Sequence, residues 1–146
     1  MRALVQRTTG ARVRVDGAVV GSIELGLVIL FGVARDDAPA AVERLAERVA
    51  RLRVFPDAEG RFDRSLLDVG GGALVVSQFT LYGDTSKGNR PSMSSAAPPE
   101  LAEPIYEAFC EALGGAGVTR VERGRFGAAM AVELVNDGPV TLLLEA

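Results

Sequence analysis

The stretch that decides the fold is "LGLVILFGV", residues 25–33, which is apolar at every position except its two glycines. A continuous apolar run without polar alternation is typical of a strand that is buried on both faces. The run is far shorter than the roughly 20 residues that a membrane-spanning helix requires. We therefore predict a central strand of a soluble domain, with other layers covering both of its faces.

The residues on the amino-terminal side of this run predict further strands. "RALVQRTTG" alternates between apolar and polar side chains, and "ARVRVDGAVVGSI" places Asp16-Gly17 between two such segments. An Asp-Gly pair flanked by alternating residues is a strong hairpin signal, because both positions of the favoured two-residue turn need a positive φ. We predict a hairpin that turns at Asp16-Gly17.

The residues on the carboxyl side change to a helical period over "DDAPAAVERLAERVARLRVF". Asp36 or Asp37 is expected to cap this helix, and Pro39 suits its first turn. "ALVVSQFTL" then predicts another buried strand, and a second helix is expected over about residues 104–113, limited by the prolines before it. The apolar positions that define the first helix are Val42, Leu45, Val49 and Leu52.

The remaining segments complete a single domain over residues 1–146. A short strand is expected at Val54-Phe55, and "VTRVERG", "AMAVELV" and "PVTLLLE" predict two or three closing strands. Because both helices connect strands, some strand pairs should be parallel. The predicted fold class is α/β, a single domain of mixed β-sheet layers with two helices packed on one side.

The composition limits the chemistry that the chain can perform. With no histidine and one cysteine in 146 residues, it has no Ser-His-Asp or Cys-His catalysis and no His-ligated metal. We expect no metal, no cofactor, and, without a visible secretory signal, a cytoplasmic location. The formal net charge of −3 argues against wrapping long nucleic acid but is compatible with gripping one end of it.

Two polar segments could form a site. In "VSQFTLYGD", Ser77, Gln78 and Thr80 stand at a strand end, which fits either a strand leaving the core or a reactive site. "YGDTSKGNRPSMSSAAPP", residues 82–99, is unusually long for a loop without a function. Lys87 and Arg90 within it could be solvated or could bind an anion.

Two segments near the carboxyl end also interrupt the strand pattern. "RGRFGAAM", which ends at Met130, reads locally as an ordinary hairpin with a buried aromatic residue. "NDGPVT", residues 136–141, places Asn136, Gly138 and Pro139 between two apolar β segments, where strands avoid such residues. It fits either a tight turn or a rigid kink with a cis Gly-Pro bond.

These motifs together resemble the D-aminoacyl-tRNA deacylases, the D-tyrosyl-tRNA deacylase family. "MRALVQR", "SQFTLYGD", "KGNRPS", "FGAAM" and "NDGPVT" occur in the order and spacing of that family, over essentially the whole chain. The resemblance implies a homodimeric cytosolic hydrolase without metal or cofactor. Such an enzyme cleaves D-amino acids from the 3′-terminal adenosine of tRNA, and glycine from mischarged tRNA-Ala, and needs neither a membrane nor DNA.

The resemblance also assigns roles by position. Ser77, Gln78, Phe79 and Thr80 would form the pocket floor, with main-chain N–H groups around Phe79 and Thr80 facing the developing oxyanion. Either the Thr80 hydroxyl or the 2′-hydroxyl of the tRNA would assist the attack, and the absence of an evident base favours the tRNA hydroxyl. The remaining substrate-binding and chiral-selectivity positions are Gly138, Pro139, Arg7, Asn136, Lys87, Arg90 and Met130.

In that family, Gly138-Pro139 would be a Gly-cis-Pro motif that enters the pocket of the partner subunit and rejects L-amino acids, and Arg7 would hold it. The chain departs from the family at Met93, where phenylalanine is usual, and at Asp63, where asparagine is expected; the first puts an aromatic contact with the terminal adenine in doubt. For Cys110, between Phe109 and Glu111, we expect a buried structural role. A non-catalytic module that binds an RNA 3′ end or an amino-acid metabolite, and a purely structural dimer, remain alternatives.

Overall fold

The frame of the molecule is one mixed sheet of six strands, described in a computed structural model that covers residues 1–146. The sheet has the order β2-β1-β3-β6-β7, and β8 also pairs with β1. β4 and β5 form a separate two-stranded ribbon. The strands are β1 (Arg2–Val15), β2 (Ala18–Ile23), β3 (Gly26–Gly32), β4 (Phe55–Pro56), β5 (Phe62–Arg64), β6 (Gly72–Ser77), β7 (Val121–Arg123) and β8 (Ala131–Glu145).

The predicted central strand is confirmed as β3. It pairs antiparallel with β1 and parallel with β6, and six of its seven residues are buried. Leu27, Ile29 and Phe31 face one core cluster, while Val28 faces a second cluster on the opposite side of the sheet. Burial on both faces explains why no polar residue interrupts this stretch.

The predicted hairpin between β1 and β2 is also present. Asp16 has φ 50° and Gly17 has φ 78°, the positive values that a two-residue hairpin turn of this type requires. β1 continues far beyond the hairpin, and its first half lies between β3 and β8. One long strand therefore connects both halves of the sheet.

Two helices cover the same face of this sheet. α1 (Val42–Ala50) and α3 (Pro99–Gly115) pack on the larger core cluster together with buried residues of β1, β3 and β6. The opposite face is covered where β2 and the first half of β8 fold over Val28 and Leu74, which gives the sheet a barrel-like curvature. The predicted α/β class with two helices on one side is confirmed.

The helix boundaries differ from the prediction. α3 begins at Pro99 rather than near Pro104, because a proline in the first helical turn lacks only an N–H group that has no intrahelical acceptor anyway. Pro104 lies inside the helix and costs one backbone bond, on the exposed side. Buried Ile105, Tyr106 and Phe109 on the inner side hold the helix against the sheet.

The expected cap of the first helix is also wrong. A 3-10 turn (Pro39–Ala41) precedes α1, and neither terminus has a side-chain cap. The Asp37 carboxylate accepts the Ala34 N–H at 2.7 Å and the Met1 ammonium instead. Pro39 does lie in the first turn, as predicted.

A short helix, α2 (Leu66–Val69), was not predicted. Ser65 and Asp68 form a reciprocal capping box at its start, and Gly70 ends it in the left-handed region with φ 61°. The sequence "SLLD" carries the signal, since a Ser followed three residues later by an acidic residue can close such a box. No helix in the structure combines the length and the apolar character needed to cross a membrane.

Candidate functional site

The chain bends sharply at the end of β6, where the sequence had predicted a strand as far as Leu81. The strand ends at Ser77, the Gln78 N–H donates to the Phe31 carbonyl at 2.8 Å, and a 3-10 turn (Phe79–Tyr82) follows. The first N–H groups of a helical turn have no acceptor within the helix. The N–H groups of Phe79 and Thr80 are therefore free at the end of a buried strand.

This bend forms the floor of a cavity of about 410 Å³. Its walls are mainly apolar and come from the ends of β3 and β6, the long segment after the 3-10 turn, the start of α3, and the segment between β7 and β8. A cavity of this size with few polar groups is typical of a small-ligand site. Of the four residues predicted for the pocket floor, Ser77, Gln78 and Phe79 line this cavity, whereas Thr80 does not; the predicted Met130 also lines it. Lining residues that were not predicted for the site include Arg35, Tyr106 and Phe126.

The Thr80 hydroxyl has no strong base beside it. Its Oγ1 accepts a hydrogen bond from the Gln78 side-chain amide, which is not a base. Asp84 instead accepts the Ser86 N–H at 2.9 Å, and hydrogen bonds from the Ser86 side chain and backbone lower the pKa of that carboxyl group. A carboxylate with a lowered pKa is a weaker base, so Asp84 is poorly suited to activate Thr80.

The predicted polar loop ends at Met93, which lines the cavity. Asp84 and Ser92 close its base by two mutual backbone hydrogen bonds of 2.8 and 2.9 Å. Lys87 and Arg90 lie between them, both exposed, and Met93 directly after the loop lines the cavity. Neither cation lines the cavity, and the link between their loop and the cavity is Met93.

The interruption of the last strand is a bulge rather than a break between two strands. In β8, Asn136 is opposite Thr8 and Thr141 is opposite Gln6, so residues 137–140 face Arg7 alone. The Gly138-Pro139 peptide bond is cis, as the sequence motif suggested, and both residues are exposed. The Asn136 side chain braces the bulge, donating to Thr141 Oγ1 at 2.9 Å and accepting the Val140 N–H at 3.2 Å.

The Arg7 side chain holds the bulge in place. Its Nε donates to the Asp137 carbonyl at 3.1 Å and lies 3.2 Å from the Asp137 carboxylate. Its Nη1 donates to the Val54 carbonyl at 2.7 Å, and the side chain is only 9% exposed. A buried guanidinium with three oxygen partners holds its neighbours in a defined geometry, as the sequence reasoning expected of Arg7.

The bulge and the cavity lie apart within one chain. Arg7 is opposite Leu27, whereas Ala3 is opposite Phe31, whose strand end forms the cavity wall. Four residues of strand span about 13 Å. Consequently Gly138, Pro139, Asn136 and Arg7 do not line the cavity of their own chain.

Aromatic and thiol groups of α3 support the cavity from the core. The Tyr106 hydroxyl donates to the Val75 carbonyl at 2.9 Å, and its ring lies 5.8 Å from that of Phe126. Cys110 is buried, and desolvation raises the pKa of its thiol to about 11, in agreement with the structural role expected for it. No group of three or more His, Cys, Asp and Glu side chains is arranged to hold a metal ion.

Comparison with known proteins identifies the class of this fold and site. The sequence model of the family described as D-Tyr-tRNA(Tyr) deacylase matches residues 4–145. The D-aminoacyl-tRNA deacylase of Dinoroseobacter shibae is 61% identical over 145 residues, covering 99% of each chain. That of Roseiflexus castenholzii is 59% identical, covering all of this chain and 92% of its own.

Two solved structures share the fold. The c-Myc DNA Unwinding Element Binding Protein has a TM-score of 0.93 and 39% identity, covering 100% of this chain and 99% of that one. A probable eukaryotic D-amino acid tRNA deacylase, at 19% identity and a TM-score of 0.83, shares the fold over 98% of this chain and 97% of its own. The sequence and fold are those of a deacylase class of hydrolases. The chain belongs to the D-Tyr-tRNA(Tyr) deacylase family.

Proposed function

We propose that this protein hydrolyses the ester bond of D-aminoacyl-tRNA and releases free tRNA and the D-amino acid. The observation that carries the proposal is the apolar cavity lined by Ser77, Gln78 and Phe79, where the strand gives way to a 3-10 turn whose first N–H groups, those of Phe79 and Thr80, are free, in a chain of this family. The cavity would hold the 3′-terminal adenosine and the ester carbonyl. Catalysis would need neither a metal nor a cofactor.

The two N–H groups would stabilise the oxyanion that develops when the ester carbonyl is attacked. Positioned donors of this kind contribute about 3–4 kcal/mol each in other acyl-transfer sites. An aminoacyl ester is already activated relative to an amide, so this contribution and a well-oriented nucleophile suffice. Ser77 and Gln78 would complete the floor around them.

The 2′-hydroxyl of the terminal ribose would assist the attack, rather than Thr80. The support for this assignment is chemical, since Thr80 contacts an amide and Asp84 is a weakened base. On this mechanism, Thr80→Ala retains deacylation within about tenfold of the wild type. Loss of a true nucleophile costs about 10⁴-fold or more, and a loss of that size would assign the role to Thr80.

Chiral selection would come from Gly138 and Pro139 of a second subunit. Both are exposed at the tip of the bulge, and they lie away from their own cavity. Placed over a partner's cavity, a rigid main-chain wall would clash with the side chain of an L-amino acid but leave a D side chain free. Glycine has no side chain to clash, so glycyl-tRNA mischarged on tRNA-Ala would also be a substrate.

The β8 edge supports a homodimer. β8 pairs only with β1, so its outer edge has unpaired backbone groups. It also presents the exposed apolar side chains Val135, Leu142 and Leu143. Long unpaired edges with exposed apolar residues are favourable places for a second chain to bind.

Mixed dimers test whether the wall acts across subunits. Gly138→Ala disturbs the bulge, because φ is 126° there and the new methyl carbon would lie 2.8 Å from Val140 and 3.0 Å from Arg7. Gly32→Ala disturbs only the floor, where it would lie 2.8 Å from the Gln78 carbonyl. The two variants are co-expressed with different tags, and the heterodimer is isolated.

The heterodimer then has one cavity with an intact floor and a wall from the intact bulge of its partner. We expect about half of the wild-type deacylation of D-Tyr-tRNA, since one of two equivalent floors is intact, and no release from L-Tyr-tRNA above background. If each chain supplied its own wall, the intact floor would lie under a damaged wall, and the heterodimer would release tyrosine from L-Tyr-tRNA at about half the rate of the Gly138→Ala homodimer. A monomer with full activity would also contradict the proposal.

The central test compares D-Tyr-tRNA with L-Tyr-tRNA as substrates of the purified protein. We expect rapid release from the D form and none above background from the L form. Equal rates would end the proposal of chiral proofreading.

A second candidate is a module that binds a nucleic-acid end without turnover. It is favoured by the name of the c-Myc DNA Unwinding Element Binding Protein, which is 39% identical to this chain. This candidate predicts binding of RNA or DNA but no release of D-tyrosine. The same deacylation assay therefore separates it from the first proposal.

A further inference from the structure

The basic side chains fall into two groups that differ in their partners. Most arginines elsewhere on the molecule form ion pairs with Asp or Glu. Four exposed cations have no ion pair and belong to the segments that line or directly border the cavity. These four, which we call the rim cations, are Arg35, Lys87, Arg90 and Arg125.

Arg35 lies on one wall of the cavity. Its Nε donates to the Ser94 carbonyl at 2.6 Å, and its backbone N–H donates to the Ser95 carbonyl at 3.2 Å. These bonds orient the side chain, while its terminal NH₂ groups make no hydrogen bond within the chain. A guanidinium fixed at one nitrogen and free at the others is prepared for a planar anion or a phosphate.

Arg125 directly precedes the opposite wall of the cavity but does not line it. It precedes Phe126, Gly127 and Ala128, all of which line the cavity, and its carbonyl closes that turn by accepting the Ala128 N–H at 3.2 Å. Lys87 and Arg90 lie in the loop that the Asp84–Ser92 pairing closes, directly before the lining residue Met93. The rim cations therefore belong to three separate segments that meet at one cavity.

Carboxylates on this side offset the rim cations only in part. Asp37 is occupied by the Met1 ammonium and the Ala34 N–H, and Asp84 by the Ser86 N–H. Asp36 and Glu100 are exposed and without an ion pair. The excess is local, on a chain whose formal net charge is −3, so it suits a few phosphates rather than a long duplex.

We infer that the rim cations bind the phosphates of the last unpaired nucleotides of an RNA 3′ end, on both walls of the cavity that takes the terminal nucleoside. The inference deepens the proposed function and rests on it for the identity of the ligand as RNA. Each phosphate neutralised on a single strand contributes about −0.7 to the slope of log K against log salt concentration. Four contacts predict a slope of about −3 by the same rule.

The test measures binding rather than turnover. The probe is an uncharged RNA hairpin with a fluorescein label and a four-nucleotide single-stranded 3′ end, titrated by fluorescence anisotropy at several salt concentrations. We expect Arg35→Gln and Arg125→Gln each to reduce the slope by about 0.7, and the double variant by about 1.4. Arg44→Gln is the matched control, since Arg44 is also exposed and unpaired but lies on α1 away from the cavity.

Two results would overturn the inference. The first is a slope for Arg35→Gln and Arg125→Gln that equals the slope for Arg44→Gln, with melting temperatures confirming that all three variants are folded. The second is equal affinity for a blunt-ended RNA duplex, which would show that the rim cations do not bind the phosphates of an unpaired 3′ end. Weaker binding of a blunt-ended RNA duplex is expected, because the phosphates near its end are not free to follow the rim.

The deacylation assay separates this inference from the proposed function. If the wild-type protein hydrolyses D-Tyr-tRNA but the salt slope of RNA binding is unchanged in the rim variants, the proposed function stands and the inference about the rim cations is refuted. If the rim variants show the expected reductions in salt slope but the protein does not hydrolyse D-Tyr-tRNA, the inference about the rim cations is supported and the proposed catalysis is refuted. Neither result depends on the other.

Discussion

The cavity floor and the β8 bulge are both interruptions of a strand, yet they are held in different ways. The floor follows two parallel buried strands, and main-chain bonds fix it, such as that from Gln78 to Phe31. The bulge lies on an edge strand, and side chains fix it, chiefly Arg7 and Asn136. Because main-chain bonds fix the floor, its geometry tolerates many side chains. The geometry of the bulge depends on single residues, because side chains fix it.

This difference suits the two proposed tasks. A floor that stabilises an oxyanion needs N–H groups at constant positions, which a strand end in the core provides. A wall that rejects one stereoisomer must project from its own chain, which an edge bulge provides and a central strand cannot. The comparison predicts that damage to the floor changes the rate, while damage to the bulge changes the selectivity.

The largest effect is expected from Gly32→Ala, which breaks the floor. The added carbon would lie 2.8 Å from the Gln78 carbonyl oxygen and 3.2 Å from Leu81, so the main chain before Phe79 must shift. A misplacement of the catalytic groups of this kind costs about 10²-fold in kcat/KM. The rates for D-Tyr-tRNA and glycyl-tRNA should fall by equal factors in single-turnover assays.

The matched control for that variant is Gly10→Ala. A methyl carbon added at Gly10 would meet no atom within 4 Å, and this residue lies in β1 away from the floor. We expect its kcat/KM to stay within about twofold of the wild type. Equal losses in both variants would show that Gly32 acts through general stability instead.

Arg7→Gln should damage the bulge more than the floor. It removes a buried cation and leaves the Val54 and Asp137 carbonyls without their donors, which costs about 2–4 kcal/mol of unfolding free energy. The ratio of D-Tyr-tRNA to L-Tyr-tRNA hydrolysis should fall by about tenfold or more. Urea unfolding and paired substrate assays measure the two quantities.

The control for Arg7 is an arginine whose partner is exposed. Arg12→Gln removes an ion pair with Glu133 in which both side chains are about half exposed, so its cost should stay below about 1 kcal/mol. Its D-to-L ratio should not change. If Arg7→Gln kept the wild-type ratio, the bulge would not be the selective element.

Tyr106→Phe should have a smaller effect and sharpens the description of the floor. The variant removes the hydroxyl bond to the Val75 carbonyl, which still accepts the Gly124 N–H at 2.9 Å. We expect a loss of about 1 kcal/mol in urea unfolding, because no buried group becomes wholly unpaired. A change in kcat/KM beyond about threefold would mean that Tyr106 contacts the substrate.

The rate of thiol modification at Cys110 should show that the core behind the floor is closed to solvent. In the native protein at pH 7, a thiol reagent should modify it about 10³-fold or more slowly than in urea, since only rare unfolded molecules expose it. The raised pKa also predicts alkaline sensitivity. The thiol loses its proton near pH 9 in the unfolded chain and near pH 11 in the folded one. The stability that the neutral buried thiol contributes is therefore complete below pH 9 and falls between pH 9 and 11.

The check on this pH dependence is Cys110→Ala. Its unfolding free energy should decline less steeply than that of the wild type between pH 9 and 11, measured by urea titration at each pH. An identical decline in both proteins would assign the effect to the tyrosines. Rapid modification of native Cys110 at pH 7 would mean that the core behind the floor opens.

Local signals predicted most of the fold correctly. The apolar run of β3, the Asp16-Gly17 turn and the helical period of α1 each depend on a few adjacent residues. The errors arose where a tertiary contact outweighed a local preference. The Asp37 carboxylate binds Ala34 and Met1 rather than a helix end. Pro104 lies within α3 because the inner face of that helix is buried. Arg35 was missed because nothing in its sequence neighbourhood sets it apart.

The sequence by itself determined the strands, the two main helices, the family motifs and the absence of any histidine-based chemistry, because these follow from residue types and short spacings. Only the tertiary structure decided that "SQFT" ends a buried strand at a cavity while "NDGP" projects from an edge about 13 Å along the sheet. The reason is register: which residue of β1 lies opposite which residue of β3 and β8 is set by pairing between distant segments. No local pattern in either motif carries that information.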